Sequence, residues 1–157
     1  PDGEYWRRVV ASPDPLKIVE AESIRAVVDA GIIPVCCGGG GVPVIRDSST
    51  GLYTGAQAVI DKDLCAAILA RETGAELLVI ATDVDGVYTD WGTPQQRRID
   101  HAKPSDLERS QFADGSMGPK VRAACRFVRR TGQRAIIGSL EDIGDIVAGR
   151  AGTLIEP

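Results

Sequence analysis

Histidine is almost missing from this sequence: His101 is the single copy among 157 residues. No serine or cysteine nucleophile motif stands ready for it to serve, so an imidazole-driven covalent hydrolase is not indicated, and His101 is expected on a loop. The four cysteines, Cys36, Cys37, Cys65 and Cys125, have neither zinc-ligand nor disulfide-framework spacing. Buried reduced thiols in a cytosolic protein fit them better. No apolar run approaches the roughly 20 residues that span a bilayer, and no membrane partner is expected. A positive excess is missing too: net charge is -4, with basic residues interspersed among acids, which argues against nucleic acid as a partner. Two phosphate-binding glycine motifs are absent. No Gly-x-x-x-x-Gly-Lys-Ser/Thr loop occurs, and the run Gly38–Gly41 is followed by Pro43 and Val44 where a dinucleotide fingerprint needs glycine. There is no internal repeat and no low-complexity linker.

What is present is an ordinary globular composition, 43% hydrophobic and 25% charged, enough for one domain with a substantial core. Residues 7–12 read as a short strand closed by Pro13 and Pro15. Residues 20–30 place Ile24, Val27 and Val28 at helical spacing, with Gly31 as the stop. The continuous apolar run 32–37 reads as a strand buried on both faces and leads straight into Gly38–Gly41. A strand at 42–45 and a polar loop at 47–55 follow. Residues 61–73 form a helix with Leu64, Ile68 and Leu69 on one face, and 76–82 a second buried strand. Residues 89–103 read as a long surface loop, with a short helix after Pro104. The spacing then predicts a helix over 119–131, a strand over 135–138, a helix over 140–148 and a last strand over 152–155. Strands alternating with helices imply a mostly parallel sheet covered on both faces, with ligands bound where loops leave the strands' carboxyl ends.

Three loops fall at such ends. The glycines at 38–41 let backbone N–H groups approach an anion closely, although a turn between two strands would use them equally well. Asp83-Val84-Asp85-Gly86 follows a buried strand, with Tyr88 just beyond; the stretch suits a purine ring beside apolar surface or, more simply, a turn with a packed tyrosine. Asp83 is also within the repertoire of metal ligands, but no spacing demands one. Gly115-Ser116-Met117-Gly118-Pro119-Lys120 places Pro119 for the first helical position and a lysine beside the free N–H groups of a helix start, a setting that attracts phosphate. A capped surface helix with an incidental lysine explains that stretch alone. Asp61-Lys62-Asp63 opens another helix, where aspartate is commonly a cap.

Their order along the chain is more specific than any one of them. Tyr5-Trp6-Arg7-Arg8-Val9-Val10-Ala11-Ser12-Pro13, Cys37 to Val44, Ala58-Val59-Ile60-Asp61-Lys62-Asp63-Leu64, Thr82 to Tyr88, Gln111 to Val121 and Gly152 to Ile155 together resemble the C-terminal half of the carbamate kinases, within the amino-acid kinase superfamily. The resemblance spans essentially the whole chain. It implies a three-layer α/β/α sandwich with a mostly parallel sheet, a homodimer, and phosphoryl transfer between carbamoyl phosphate and ADP to give ATP and carbamate, with Mg2+ accompanying the nucleotide. It implies that Lys62 and Lys120 offset phosphoryl charge and that Asp63 organises them. Gly38, Gly39 and Gly40 fall at the substrate end, and Asp83, Val84, Tyr88, Met117, Gly118 and Lys120 at the nucleotide. The N-terminal strand-loop and further sheet of such kinases do not lie between Pro1 and Pro157, so the chain reads as the nucleotide-binding part of that fold. Another acyl-phosphate-forming kinase of the superfamily, or a non-catalytic ADP/ATP-binding module, are the alternatives.

Overall fold

The computed structural model describes Trp6, residues 9–110, Phe112 and residues 115–157. Helical spacing produces α1 (Ala21–Asp29), which ends where Gly31 takes φ 76°. The glycine run forms a 3-10 turn at Gly38–Gly40. An antiparallel hairpin follows, β1 (Val44–Arg46) with β2 (Tyr53–Gly55). Its loop is held by the Asp47 carboxylate, which accepts backbone and hydroxyl bonds from Ser49 and Thr50 at 2.6 to 3.0 Å. Those donors, the Ser49 hydroxyl first, pull the Asp47 pKa far below its ordinary value.

From residue 61 onward the elements acquire a common core. Asp61 caps α2 (Lys62–Thr73) by accepting the Asp63 and Leu64 N–H groups, both at 2.9 Å, and Gly74 closes the helix in the left-handed conformation. Then come β3 (Leu77–Thr82), the antiparallel pair β4 (Val87–Thr89) and β5 (Arg97–Ile99), β6 (His101–Ala102) and α3 (Pro104–Leu107). The long helix α4 (Met117–Thr131) precedes β7 (Arg134–Ser139), a 3-10 turn at Leu140–Asp142, α5 (Ile143–Val147) and β8 (Thr153–Ile155).

The main sheet runs β3-β7-β8-β6. Strands β3 and β7 pair in parallel from Leu77↔Arg134 to Thr82↔Ser139; β8 is antiparallel to β7 and parallel to β6. Alternation along β7 divides its neighbours. Ala135 and Ile137 join the core with Leu64, Ala124, Phe127 and Val128 from α2 and α4. Gly138 faces the other way, where a Cβ would come within 2.8 Å of Ile146 on α5. Helices thus cover both faces, giving three layers. At one end the buried Thr153 hydroxyl accepts the Val87 N–H at 2.7 Å and donates to the Ile99 carbonyl at 2.5 Å, fastening the small β4–β5 pair to β8.

The run 32–37 is not a buried strand. It has no strand partner among the described residues, and Ile33 and Val35 are 91% and 99% exposed; an apolar run signals a need for cover that none of the described residues meets. The expected strand at 7–12 is reduced, in its described part, to one bridge between Ala11 and Ala58, while Arg7 and Arg8 lie outside the described residues, as do Gln111, Ala113 and Asp114. The stretch 89–103 is not a plain loop but holds β5 and β6; their pairing comes from β4 and β8 rather than from any alternation of their own. His101 accordingly sits on a strand, its Nε2 2.9 Å from Glu156 Oε1. The polar stretch 47–55 likewise contains β2. Helix α4 starts at Met117, two residues before Pro119; the proline still falls in the first turn, where its missing N–H leaves no helical bond unmade. Of the cysteines, Cys65 and Cys125 are buried, whereas Cys36 and Cys37 are only half-buried.

Candidate active site

Short connections set the direction of the two central helices. Helix α2 ends at Thr73 and β3 begins at Leu77; α4 ends at Thr131 and β7 begins at Arg134. Turns this short send each helix back antiparallel to the strand that follows it. The amino ends of α2 and α4 therefore lie at the carboxyl edge of the parallel pair β3–β7, the edge at which open α/β sheets bind ligands. Both helix dipoles favour negative charge there, and on α2 the Asp61 carboxylate already takes the Asp63 and Leu64 N–H groups.

Each helix start contributes a lysine, and both meet one acid. Lys120 Nζ donates to Asp63 Oδ2 at 3.1 Å, and Lys62 Nζ lies 3.8 Å from the same oxygen. The Asp63 and Lys120 side chains are 9% and 13% exposed, whereas Lys62 is 64% exposed. Asp63 is thus a buried anchor, Lys120 a sheltered cation and Lys62 an exposed one at the rim. Two ammonium groups against one carboxylate leave a local charge of +1, and an anion arriving beside them meets cations already oriented by charge-assisted contacts.

The glycine turn packs against α2. Gly40 is buried, and a Cβ there would stand 2.1 Å from the Ile60 carbonyl oxygen, so only glycine fits. Gly38 and Gly39 are open on that side. Asp83 lies in a second feature, a cavity of about 410 Å³ at the carboxyl ends of β3 and β7, which it lines with Ala81, Thr82, Ser139, Leu140 and Glu141; Thr82 Oγ1 donates to Asp83 Oδ1 at 3.0 Å. Val84 follows in the same turn, half-buried. Tyr88 turns instead toward Asp85, donating its hydroxyl at 2.7 Å, and packs edge-on against Trp91 with ring centroids 5.2 Å apart. The hydrogen bond to Asp85 raises the Tyr88 pKa by favouring the protonated phenol. Met117 packs on the core beside α4's first turn. Gly118 lines a separate groove of about 620 Å³ between α3 and α4, with Phe112, Val121 and Arg126.

Ser139, Leu140 and Glu141 were not among the sequence-derived site residues. The signal available for them is positional: Ser139 ends an apolar strand parallel to β3, and its hydroxyl accepts the Glu141 N–H at 3.2 Å, turning the chain around the cavity mouth.

A helix-borne cation pair at the carboxyl edge of a three-layer sheet agrees with what comparison finds. The amino acid kinase family model matches residues 4–139, and the chain belongs to that family. Within it, the chain is similar to the carbamate kinase of Escherichia coli, 53% identical over 98% of this chain and 50% of the relative, and to that of Haemophilus influenzae, 50% identical over 98% of this chain and 49% of the relative. Among solved structures, the carbamate kinase from Giardia lamblia bound to AMP-PNP superposes with a TM-score of 0.88 at 39% identity, over 92% of this chain and 52% of that one. The chain spans about half the length of the curated relatives it matches.

Proposed function

We propose that this chain is the nucleotide-binding part of a carbamate kinase, working in the reversible transfer of a phosphoryl group between carbamoyl phosphate and ADP to give ATP and carbamate. The observation that carries the reading is the convergence of Lys62 and Lys120 on one oxygen of Asp63. Phosphoryl transfer passes through a loose transition state with charge spread over the migrating oxygens, so catalysis is mainly positioning and cationic stabilisation. Lys120 and Lys62 supply the cations and Asp63 keeps them from repelling each other. Gly38, Gly39 and Gly40, packed beside the same helix start, take the substrate end. Asp83, Val84, Tyr88, Met117 and Gly118, with Lys120, take the nucleotide, and Ser139 to Glu141 share with Asp83 the cavity at the ends of β3 and β7.

Magnesium accompanies the nucleotide in this reading. Such an ion is carried mainly by substrate phosphates and water. A reducing cytoplasm, arginine metabolism and a homodimer complete the proposal. No helix of the described residues is long and apolar enough to cross a membrane.

The test measures ATP formation from ADP and carbamoyl phosphate by this chain combined with the other half of a family member. Lys120→Ala is expected to lower turnover by about 10²–10³-fold, the scale of losing one preorganised transition-state donor. The fold should persist, because Asp63 keeps Lys62 as a partner. Turnover equal to that of the unaltered protein would sink the assignment. The half-length match also favours a second reading, in which the chain by itself binds ADP or ATP without turning over; titrating ADP into the isolated chain and following heat against ATP production separates the two.

A further inference from the structure

Arg98 on β5 stands opposite Tyr88 on β4, and the two side chains close on one carboxylate. Tyr88 donates its hydroxyl to Asp85 Oδ1 at 2.7 Å, and Arg98 Nε lies 3.6 Å from Asp85 Oδ2. The arginine also reaches backbone. Its Nη2 donates to the Asp85 carbonyl at 3.4 Å and to the Gly152 carbonyl at 3.3 Å, while Nη1 lies 3.5 Å from Asp100. One planar guanidinium thus joins the β3–β4 turn to β5 and to the chain entering β8. Gly86 makes this approach possible. A Cβ there would stand 2.9 Å from Thr153 Oγ1 and 3.1 Å from Arg98 Nε, and the same Thr153 hydroxyl holds the next N–H, that of Val87. The turn Asp83–Gly86 is therefore tied at its exit by Arg98 and Thr153, neither of which lines the cavity beside Asp83.

We propose that Arg98 is a positioning residue for the nucleotide: through Asp85 and Gly152 it holds Asp83 and Val84 in place, and it touches no substrate itself. The proposal rests on the reading in which Asp83 and Val84 take the nucleotide. The contacts ask for arginine in particular. A lysine could meet the Asp85 carboxylate as a point charge, but it has no rigid fork with which to engage the carboxylate and two carbonyls together. Without the guanidinium, the turn keeps the Tyr88 bond to Asp85 and the Thr153 bond to Val87 and loses its tie to Gly152. Asp83 and Val84 then sample more positions, and ADP must order them as it binds. That ordering lowers affinity although no group in contact with ADP has been removed.

The experiment follows amide hydrogen exchange along the chain and titrates ADP by calorimetry, for the unaltered protein and three variants. Arg98→Met is expected to speed exchange at residues 84–87, leave α2 and α4 unchanged, and weaken ADP binding about 10-fold, the scale of losing one charge-assisted hydrogen bond. Arg98→Lys should recover part of both effects. Arg97→Met, at the exposed neighbour on the same strand, should produce neither. Unchanged exchange at 84–87 in Arg98→Met overturns the proposal, as does faster exchange there with undiminished ADP affinity. A rise spread equally over α2 and α4, or the same losses in Arg97→Met, also overturns it by marking a general loosening. If the unaltered chain takes up no ADP, the kinase reading fails by itself, and the exchange data alone decide whether Arg98 holds the turn.

Discussion

Residues 9–60 and residues 61–157 are built from similar material and reach opposite states. Each region carries an apolar run of about equal length, 32–37 in the first and Leu77–Thr82 in the second, and each carries a helix with an apolar stripe. Among the described residues before Asp61, only Pro15 and Gly40 are buried. After it, Leu64, Ile80, Val121, Phe127, Ile137 and Ile155 interlock in or around one core. Composition does not separate the two regions. What separates them is company: β3 has β7 beside it, matched residue for residue, and α2 and α4 above it. Residues 32–37 have no paired strand among the described residues. Hydrophobic sequence states a requirement for burial, and topology decides whether the requirement is met.

The contrast can be broken by truncating side chains in each region. Ile137→Ala in β7 is expected to cost about 2–5 kcal/mol, the usual range for emptying a packed core site, while Val35→Ala should stay within about 0.5 kcal/mol; urea unfolding measures both. Equal costs would mean that 32–37 is packed in solution. At the helix starts, Asp61→Ala should cost about 1 kcal/mol because two N–H groups lose their acceptor. Glu20→Ala, before α1, should change thermal stability little, since the Glu20 side chain makes no cap bond. On the surface, Ile33→Lys with Val35→Glu should leave the unfolding midpoint in place yet raise the concentration at which the chain stays monodisperse in light scattering, because the exposed apolar run is a site for association. The smallest effect belongs to Asp47. Its folded pKa is depressed, so its contribution to the loop is present above the ordinary value of 3.8 and is lost as pH falls below it toward the folded pKa; the Ser49 and Thr50 amide NMR shifts should move only in that acid range.

The sequence disclosed the second region better than the first for a physical reason. Asp61 and Gly74 punctuate α2 by local chemistry, and the run Leu77–Thr82 is buried by neighbours that lie within the same chain. Strands β5 and β6 escaped notice because Arg97-Arg98-Ile99 and His101-Ala102 have no strand pattern to read; pairing with β4 and β8 makes them strands. At the site, Asp63 and Lys120 stand 57 positions apart, and their contact at 3.1 Å depends on two helix-to-strand turns that each looked unexceptional. The resemblance to carbamate kinases singled out that pair where the individual motifs gave only a cap and a lysine. Ser139 to Glu141 were missed since a cavity wall made by two parallel strand ends leaves no motif in either.

One detail of the sheet bears on how the molecule is assembled. Strand β8 follows both of its neighbours in the chain yet lies between them, with β7 on one side and β6 on the other. A ribosome therefore emits β6 and β7 before the strand that joins them, and the two come together in that sheet only once Thr153–Ile155 emerges. Excising Thr153–Ile155 would remove an interior stave, separate His101–Ala102 from β7 and take away the hydroxyl that clasps Val87 and Ile99. Translation halted short of Thr153 would thus yield a product with its central seam open.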